Sequence, residues 1–184
     1  IPFRGLKSSK ADCSKCSIQV LCLPAFIKAD DFDQLNTIVQ NRRPLKRGDS
    51  LFCTGQRLTS IYVAREGAFK SVVYNDDGSS QVTGFHLPGE ILGLDALGTD
   101  FHTCDSIALT IADVCEIPLH ELEMVANQIP RKQHQLLKIM GQSIKQKKKH
   151  IEILAKKNAH ERVAIFLHQL AERYKLLGRS DQRF

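Results

Sequence analysis

Three cysteines lie within ten residues near the start of the chain, in the run Cys13-Ser14-Lys15-Cys16-Ser17-Ile18-Gln19-Val20-Leu21-Cys22. A C-x2-C pair puts two soft sulfur donors on one tight turn, and a third thiol six residues on can close over the same centre. Such a loop needs a fourth ligand from elsewhere. Thiolate sets select zinc or iron-sulfur clusters over hard cations, because soft donors match soft or borderline metals. Three further cysteines, Cys53, Cys104 and Cys115, are available, and spacing alone does not choose among them. On the residues alone, a four-thiolate zinc site and a cluster are equally open.

Composition limits what surrounds the loop. At 184 residues and 42% hydrophobic content, the chain can bury one good core and a small satellite. No apolar run reaches the roughly 18 residues of a spanning helix, and the first residues lack the apolar stretch of a signal peptide. The expectation is a cytoplasmic protein with reduced thiols and no membrane contact. Six cysteines would make three disulfides only in a secreted protein, and a core of this size does not need them.

The net charge of +6 is unevenly spread. Residues 1–128 hold 12 Lys and Arg against 16 Asp and Glu, a sum of -4, whereas residues 129–184 hold 14 against 4, a sum of +10. A polyanion would meet the second part.

The elements that must position the thiols follow from periodicity. Residues 1–11 read as a loose arm. Phe32, Leu35, Ile38 and Val39 have helical spacing behind acidic residues, which suit a first helical turn. Residues 50–53, 60–64, 68–74, 81–87, 107–111 and 114–117 read as short strands separated by glycine-rich turns, the pattern of a β-sandwich or roll. Asp77-Gly78 is the clearest hairpin signal. Cys53 and Cys104 fall within this region and read as small buried hydrophobes.

Beyond Pro118 the pattern is helical: a short segment over 119–127, then a long helix from Pro130 to about Lys157. Steps of three and four from Leu137 reach Met140, Ile144, Lys147, Ile151 and Leu154, a coiled-coil seam with one polar member. The seam could dock on the chain's own β-roll or pair with a second copy; the heavily charged remaining faces favour the pair. Lys147, in the run Lys145, Lys147, Lys148 and Lys149, would make that dimer marginal. Asn158-Ala159-His160-Glu161 reads as an N-cap with Glu at N3, opening a helix that stops near Gly178.

Several of these stretches together resemble the FNR branch of the CRP/FNR transcription regulators. They are the cysteine loop; Gln81-Val82-Thr83-Gly84-Phe85-His86-Leu87-Pro88-Gly89; Leu92-Gly93-Leu94-Asp95-Ala96; Val114-Cys115-Glu116-Ile117-Pro118; and Lys156-Lys157-Asn158-Ala159-His160-Glu161-Arg162. The resemblance implies an α+β chain: a β-roll sensor domain, jelly-roll in topology and like a cyclic-nucleotide-binding domain, then a long dimerisation helix and the first helix of a truncated winged helix-turn-helix domain.

It also implies an oxygen-sensing regulator of anaerobic gene expression. A 4Fe-4S cluster would be held by Cys13, Cys16, Cys22 and Cys115 and would control dimerisation and promoter binding. The expected domains are 1–28 for the arm and cysteine loop, 29–128 for the β-roll, 129–157 for the dimerisation helix and 158–184 for the start of the DNA-binding domain. The recognition helix of the family would lie beyond Phe184, so the intact protein is expected to be longer. Its expected partners are a second copy, promoter DNA and RNA polymerase.

Lys15, between two implied ligands, is a candidate tuner, since a nearby cation favours a reduced cluster. Cyclic nucleotide is not expected. Gly89-Glu90 resembles the ribose contact of the nucleotide-binding branch, but the Arg-Ser pair that holds the phosphate there is replaced by Thr99-Asp100-Phe101-His102-Thr103-Cys104. The histidines show no metalloprotease spacing and no nucleophile motif is present, so an enzyme is not expected. The alternative from another class is a zinc-stabilised interaction module of the same architecture that does not respond to oxygen.

Overall fold

A computed structural model describes residues 13, 16, 36–41, 43–128 and 158–176, and, between these last two stretches, residues 134, 137, 138, 140, 141, 143–145, 148 and 151–153. The chain divides into two compact units, Ile1–Gln128 and Ile129–Phe184.

The first unit is built from eight short antiparallel strands: β1 (Gln40–Asn41), β2 (Ser50–Phe52), β3 (Ser60–Glu66), β4 (Phe69–Tyr74), β5 (Ser80–His86), β6 (Ile91–Leu92), β7 (Asp105–Ala108) and β8 (Asp113–Pro118). They form two four-stranded sheets, in the orders β1-β8-β3-β6 and β2-β7-β4-β5. Tyr62, Ala64, Leu92 and Val114 from the first sheet meet Leu51, Phe52, Phe69 and Ala108 from the second in a single core. This is the jelly roll expected of the sensor domain. Helix α1 (Leu119–Gln128) follows β8 directly and packs against it.

Strand β8 lies between β1 and β3, so its backbone is paired on both edges. Because strand side chains alternate between faces, Val114 enters the core while Asp113, Cys115 and Ile117 point to the other, outer face. That outer face is also covered: Ile61, Val63 and Ile117 are buried there, although none belongs to the core between the sheets. Asn36–Ile38 are helical, and Ile38 and Val39 are buried. The earlier residues of the helix expected there, Phe32 and Leu35 included, lie outside the described residues.

The hairpin expected at Asp77-Gly78 joins β4 to β5, with Gly78 at φ +81° and its N–H donating to Asn75 O (3.0 Å). Two expectations need correction. The strand read over 107–111 ends at Ala108, and Ile111 is exposed, because the chain turns there to lie against Gly67. Cys53 is exposed rather than buried: β2 stops at Phe52, and Cys53 opens a turn whose N–H groups bond Gln56 Oε1 and, from Gln56, Cys53 O. Strands β1 and β6, two residues each, carry no sequence pattern long enough to read.

In the second unit every described residue from 134 to 153 is helical. Helix α2 (Ala159–Leu176) opens with the expected capping box: the Asn158 N–H donates to Glu161 Oε2 and the Glu161 N–H to Asn158 Oδ1, both at 3.0 Å. The expected end near Gly178 lies outside the described residues. Among the described residues, no helix is long and apolar enough to cross a membrane.

Gly67 sets the join between β3 and β4. Its φ is +73°, and a Cβ there would lie 2.5 Å from Ile111 O and 2.8 Å from Ala112 Cα, both backbone atoms that cannot yield. Gly67→Ala should therefore lower the unfolding free energy of the first unit by at least about 2 kcal/mol. Urea denaturation would show a lower midpoint at an unchanged slope.

Candidate metal centre

The candidate ligand Cys115 lies on the outer face of β8. Cys115 sits mid-strand with Asn41 of β1 opposite it on one side and Val63 of β3 on the other. It is buried, with 7% of its surface exposed. Cys13 is also buried, and its N–H donates to Asn36 Oδ1 (2.9 Å), which ties the amino-terminal turn to the segment leading into β1. The Cys16 N–H reaches back to Cys13 O at 3.4 Å, the tight turn expected of a C-x2-C pair.

Cys13 and Cys16 act electrostatically on Cys115 across about a hundred residues of sequence. Burial is the largest influence on Cys115 and pushes its thiol up to about 12. Cys16 and Cys13 push the same way, Asp113 adds to them more weakly, and only Arg65 pulls down. Of the four expected ligands, Cys13, Cys16 and Cys115 are thus brought into electrostatic reach, and Cys22 lies outside the described residues, as does Lys15. Cys104 and Cys53 do not act on this centre among the influences that shift Cys115. Cys104 is buried on the core side, with its thiol 3.7 Å from Asp95 Oδ2.

Among the described residues, no three of His, Cys, Asp and Glu stand close enough together to hold a single metal ion. The donor chemistry nevertheless fits a thiolate-held group. Cys13, Cys16 and Cys115 are soft donors, and burial favours the neutral thiol of Cys115 until a positive centre displaces its proton. Metal binding there would release protons and add its free energy to folding.

Sequence reasoning missed Arg65. The register of β3 against β8 slips between Ala64, opposite Val114, and Glu66, opposite Asp113, so Arg65 is the extra residue of a β-bulge. Its guanidinium pairs with Asp113 Oδ2 through Nη2 and donates to Asn41 Oδ1 through Nη1 at 3.1 Å. No motif marks a bulge arginine; only the pairing register reveals it.

The segment from Thr99 to Cys104 packs on the β-roll core through His102. His102 is buried, stacked on Phe52 with centroids 3.8 Å apart, and its Nδ1 lies 3.3 Å from Asp95 Oδ1. Burial would raise the Asp95 carboxyl, but bonds from the Thr103 N–H and His102 outweigh it and hold the group below the usual range. The Glu90 carboxylate accepts from the Leu87 N–H at 2.8 Å.

Comparison with known proteins decides the family. Over 183 residues the chain is 40% identical to the transcriptional activator protein Anr of Pseudomonas protegens, covering 100% of this chain and 75% of that protein. The chain belongs to the FNR-type branch of the CRP/FNR transcription regulators. It is also 37% identical over 172 residues to the fumarate and nitrate reduction regulatory protein of Escherichia coli, covering 94% of this chain and 69% of that one. The cyclic nucleotide-binding domain family matches residues 42–128, the β-roll. Among solved structures, FixK2 of Bradyrhizobium japonicum superposes with a TM-score of 0.65 at 21% identity, over 77% of this chain and 79% of that one, which shows the shared fold. As a member of this FNR-type branch the chain is a transcription regulator and not an enzyme.

In protein stripped of metal, the raised Cys115 thiol should resist alkylation. Iodoacetamide at pH 8 should label exposed Cys53 first and Cys115 last, and the Cys115 rate should keep climbing with its thiolate fraction above pH 9 and on towards about 12. Peptide mapping over a time course would read the order. Because folding raises this pKa, Cys115 contributes stability that is complete below about 9 and is lost as pH climbs towards about 12.

Proposed function

We propose that this chain regulates anaerobic gene expression by sensing oxygen through a 4Fe-4S cluster held by Cys13, Cys16, Cys22 and Cys115. One observation carries the proposal: in a chain of the FNR-type branch, both cysteines of the amino-terminal C-x2-C turn are within electrostatic reach of a buried cysteine of β8. Relatives named for anaerobic regulation and for fumarate and nitrate reduction support the physiological side.

The cluster would supply the reaction with oxygen. The chain's residues do the rest. Cys115 fixes one end of the loop to a strand paired on both edges, Asn36 holds the turn at Cys13, and the covered outer face keeps water from the buried thiols. With the loop tied, two chains associate along the seam of the long helix. Leu137, Met140, Ile144 and Ile151 are described there, all helical and exposed, as an unpartnered seam would be. Lys147 and Leu154 lie outside the described residues. A two-fold dimer then matches a two-fold promoter site, since half-site spacing is fixed by the protein. Loss of the tie leaves a seam that Lys147 weakens, and the dimer dissociates.

The four expected domains, 1–28, 29–128, 129–157 and 158–184, divide these tasks. Promoter DNA and RNA polymerase are the partners proposed for the whole protein, in the cytoplasm. Cyclic nucleotide has no proposed role, because Glu90 is engaged with Leu87 and the segment from Thr99 to Cys104 offers no arginine for a phosphate.

Anaerobic purification followed by iron and sulfide counts, a visible spectrum and sedimentation tests this reading. It predicts about four irons and four sulfides per chain, an absorption that bleaches in air, and a matching loss of dimer. Lys147→Ile should tighten the dimer of the cluster-free chain about tenfold or more. Zinc in place of iron, with no change in air, would contradict the reading and make the chain a zinc-stabilised module.

A further inference from the structure

Asp95 collects the hydrogen bonds of a loop that closes on itself. It lies in the single 3-10 turn Leu94–Ala96, which the chain enters through Gly93 at φ +92°. Eight residues later the chain returns to it. Asp95 Oδ2 accepts from the Thr103 N–H at 2.8 Å and from the Thr103 hydroxyl at 3.3 Å, with the Cys104 thiol at 3.7 Å. Asp95 Oδ1 faces His102 Nδ1 at 3.3 Å, so the two carboxylate oxygens are shared between separate donors. The carboxyl is held below the usual range, which keeps it an anion at neutral pH.

Those donors are placed by contacts that leave Asp95 out. The His102 N–H donates to Gln56 O (2.9 Å) and His102 O accepts from the Gly55 N–H (2.8 Å), which pins this residue to the turn after β2. Phe101, just before it, is bridged to Arg57. The His102 ring is buried and stacks on Phe52 of the core. Thr103 is exposed, so solvent reaches the donors from one side. Fixed N–H and O–H groups aimed at one point suit a two-oxygen anion, because hydrogen bonds to a charged acceptor are the strong ones.

We infer that the Thr103 N–H, the Thr103 hydroxyl and His102 Nδ1–H form a carboxylate-binding corner that Asp95 fills from within the chain. The loop from Gly93 to Cys104 is closed by this internal ligand, and a free monocarboxylate would take the same place once the Asp95 side chain is removed. The inference does not rest on the cluster reading given above. The simpler account is a loop clasp that leaves no site without Asp95. The backbone pairing and ring stacking of His102 weigh against it, since both hold a donor in position without the carboxylate.

The test is urea denaturation of the full chain at neutral pH, as the parent, Asp95→Ala and Asp95→Asn, in sodium formate and in sodium chloride of equal ionic strength. The His102 ring is followed by NMR in the same solutions. Asp95→Ala should unfold at lower urea than the parent, and about 0.2 M formate should raise its folding equilibrium constant roughly tenfold over chloride, as a site with a Kd of about 20 mM would. Formate should also shift the His102 ring signals of Asp95→Ala and leave those of the parent unmoved, because the parent's corner is full. Asp95→Asn keeps the corner filled by an amide and should give no formate response. Asp95→Ser replaces Asp95→Ala if that variant is unfolded in chloride. A folded Asp95→Ala that ignores formate, or a parent that responds as strongly, would overturn the inference. So would failure of both the Ala and Ser variants to fold in formate, since a bound anion should close the loop again.

Discussion

The pairing of β8 on both of its edges is the constraint on which the rest depends. A six-residue strand bonded to β1 and β3 can put one face into the core and offer the other to the amino-terminal segment without leaving backbone groups unpaired. Val114 on the inner face belongs to the core between the sheets, while Cys115 on the outer face is within electrostatic reach of Cys13 and Cys16. A one-residue slip in register would exchange them, moving the thiol into the core and a valine to the outer face. The pairs Asn41 with Cys115 and Val63 with Cys115 fix that register from both sides.

The same strand explains why the centre carries its own electrostatics. Asp113, Cys115 and the bulge residue Arg65 share one patch, with the carboxylate and guanidinium joined and the thiol beside them. Burial keeps the thiol protonated while the guanidinium opposes that effect. The remaining cysteines have other surroundings. Cys104 faces Asp95 within the core, and Cys53 faces solvent in a turn.

Much of this was legible in the residues. The C-x2-C turn, the Asp77-Gly78 hairpin, the six longer strands and the Asn158–Glu161 capping box each rest on local chemistry, which sequence carries directly. The choice of Cys115 over Cys53 and Cys104 did not; it came from the family resemblance, since strand alternation alone cannot say which face of β8 the loop covers. The two-residue strands β1 and β6 were illegible because they exist only as partners of β8 and β3. Cys53 was misread because β2 stops one residue earlier than its apolar pattern suggests. Arg65 was invisible for a related reason: a bulge is a property of two strands, not of one.

The central claim is that Cys115, and no other β-roll cysteine, ties the loop. Iron and acid-labile sulfide retained after anaerobic purification of Cys115→Ala, Cys104→Ala and Cys53→Ala test it most directly. The account predicts that Cys115→Ala keeps almost none, while the other two keep about four of each per chain, the content of one 4Fe-4S cluster. Full retention in Cys115→Ala, or loss in Cys104→Ala with the β-roll still folded, would contradict it.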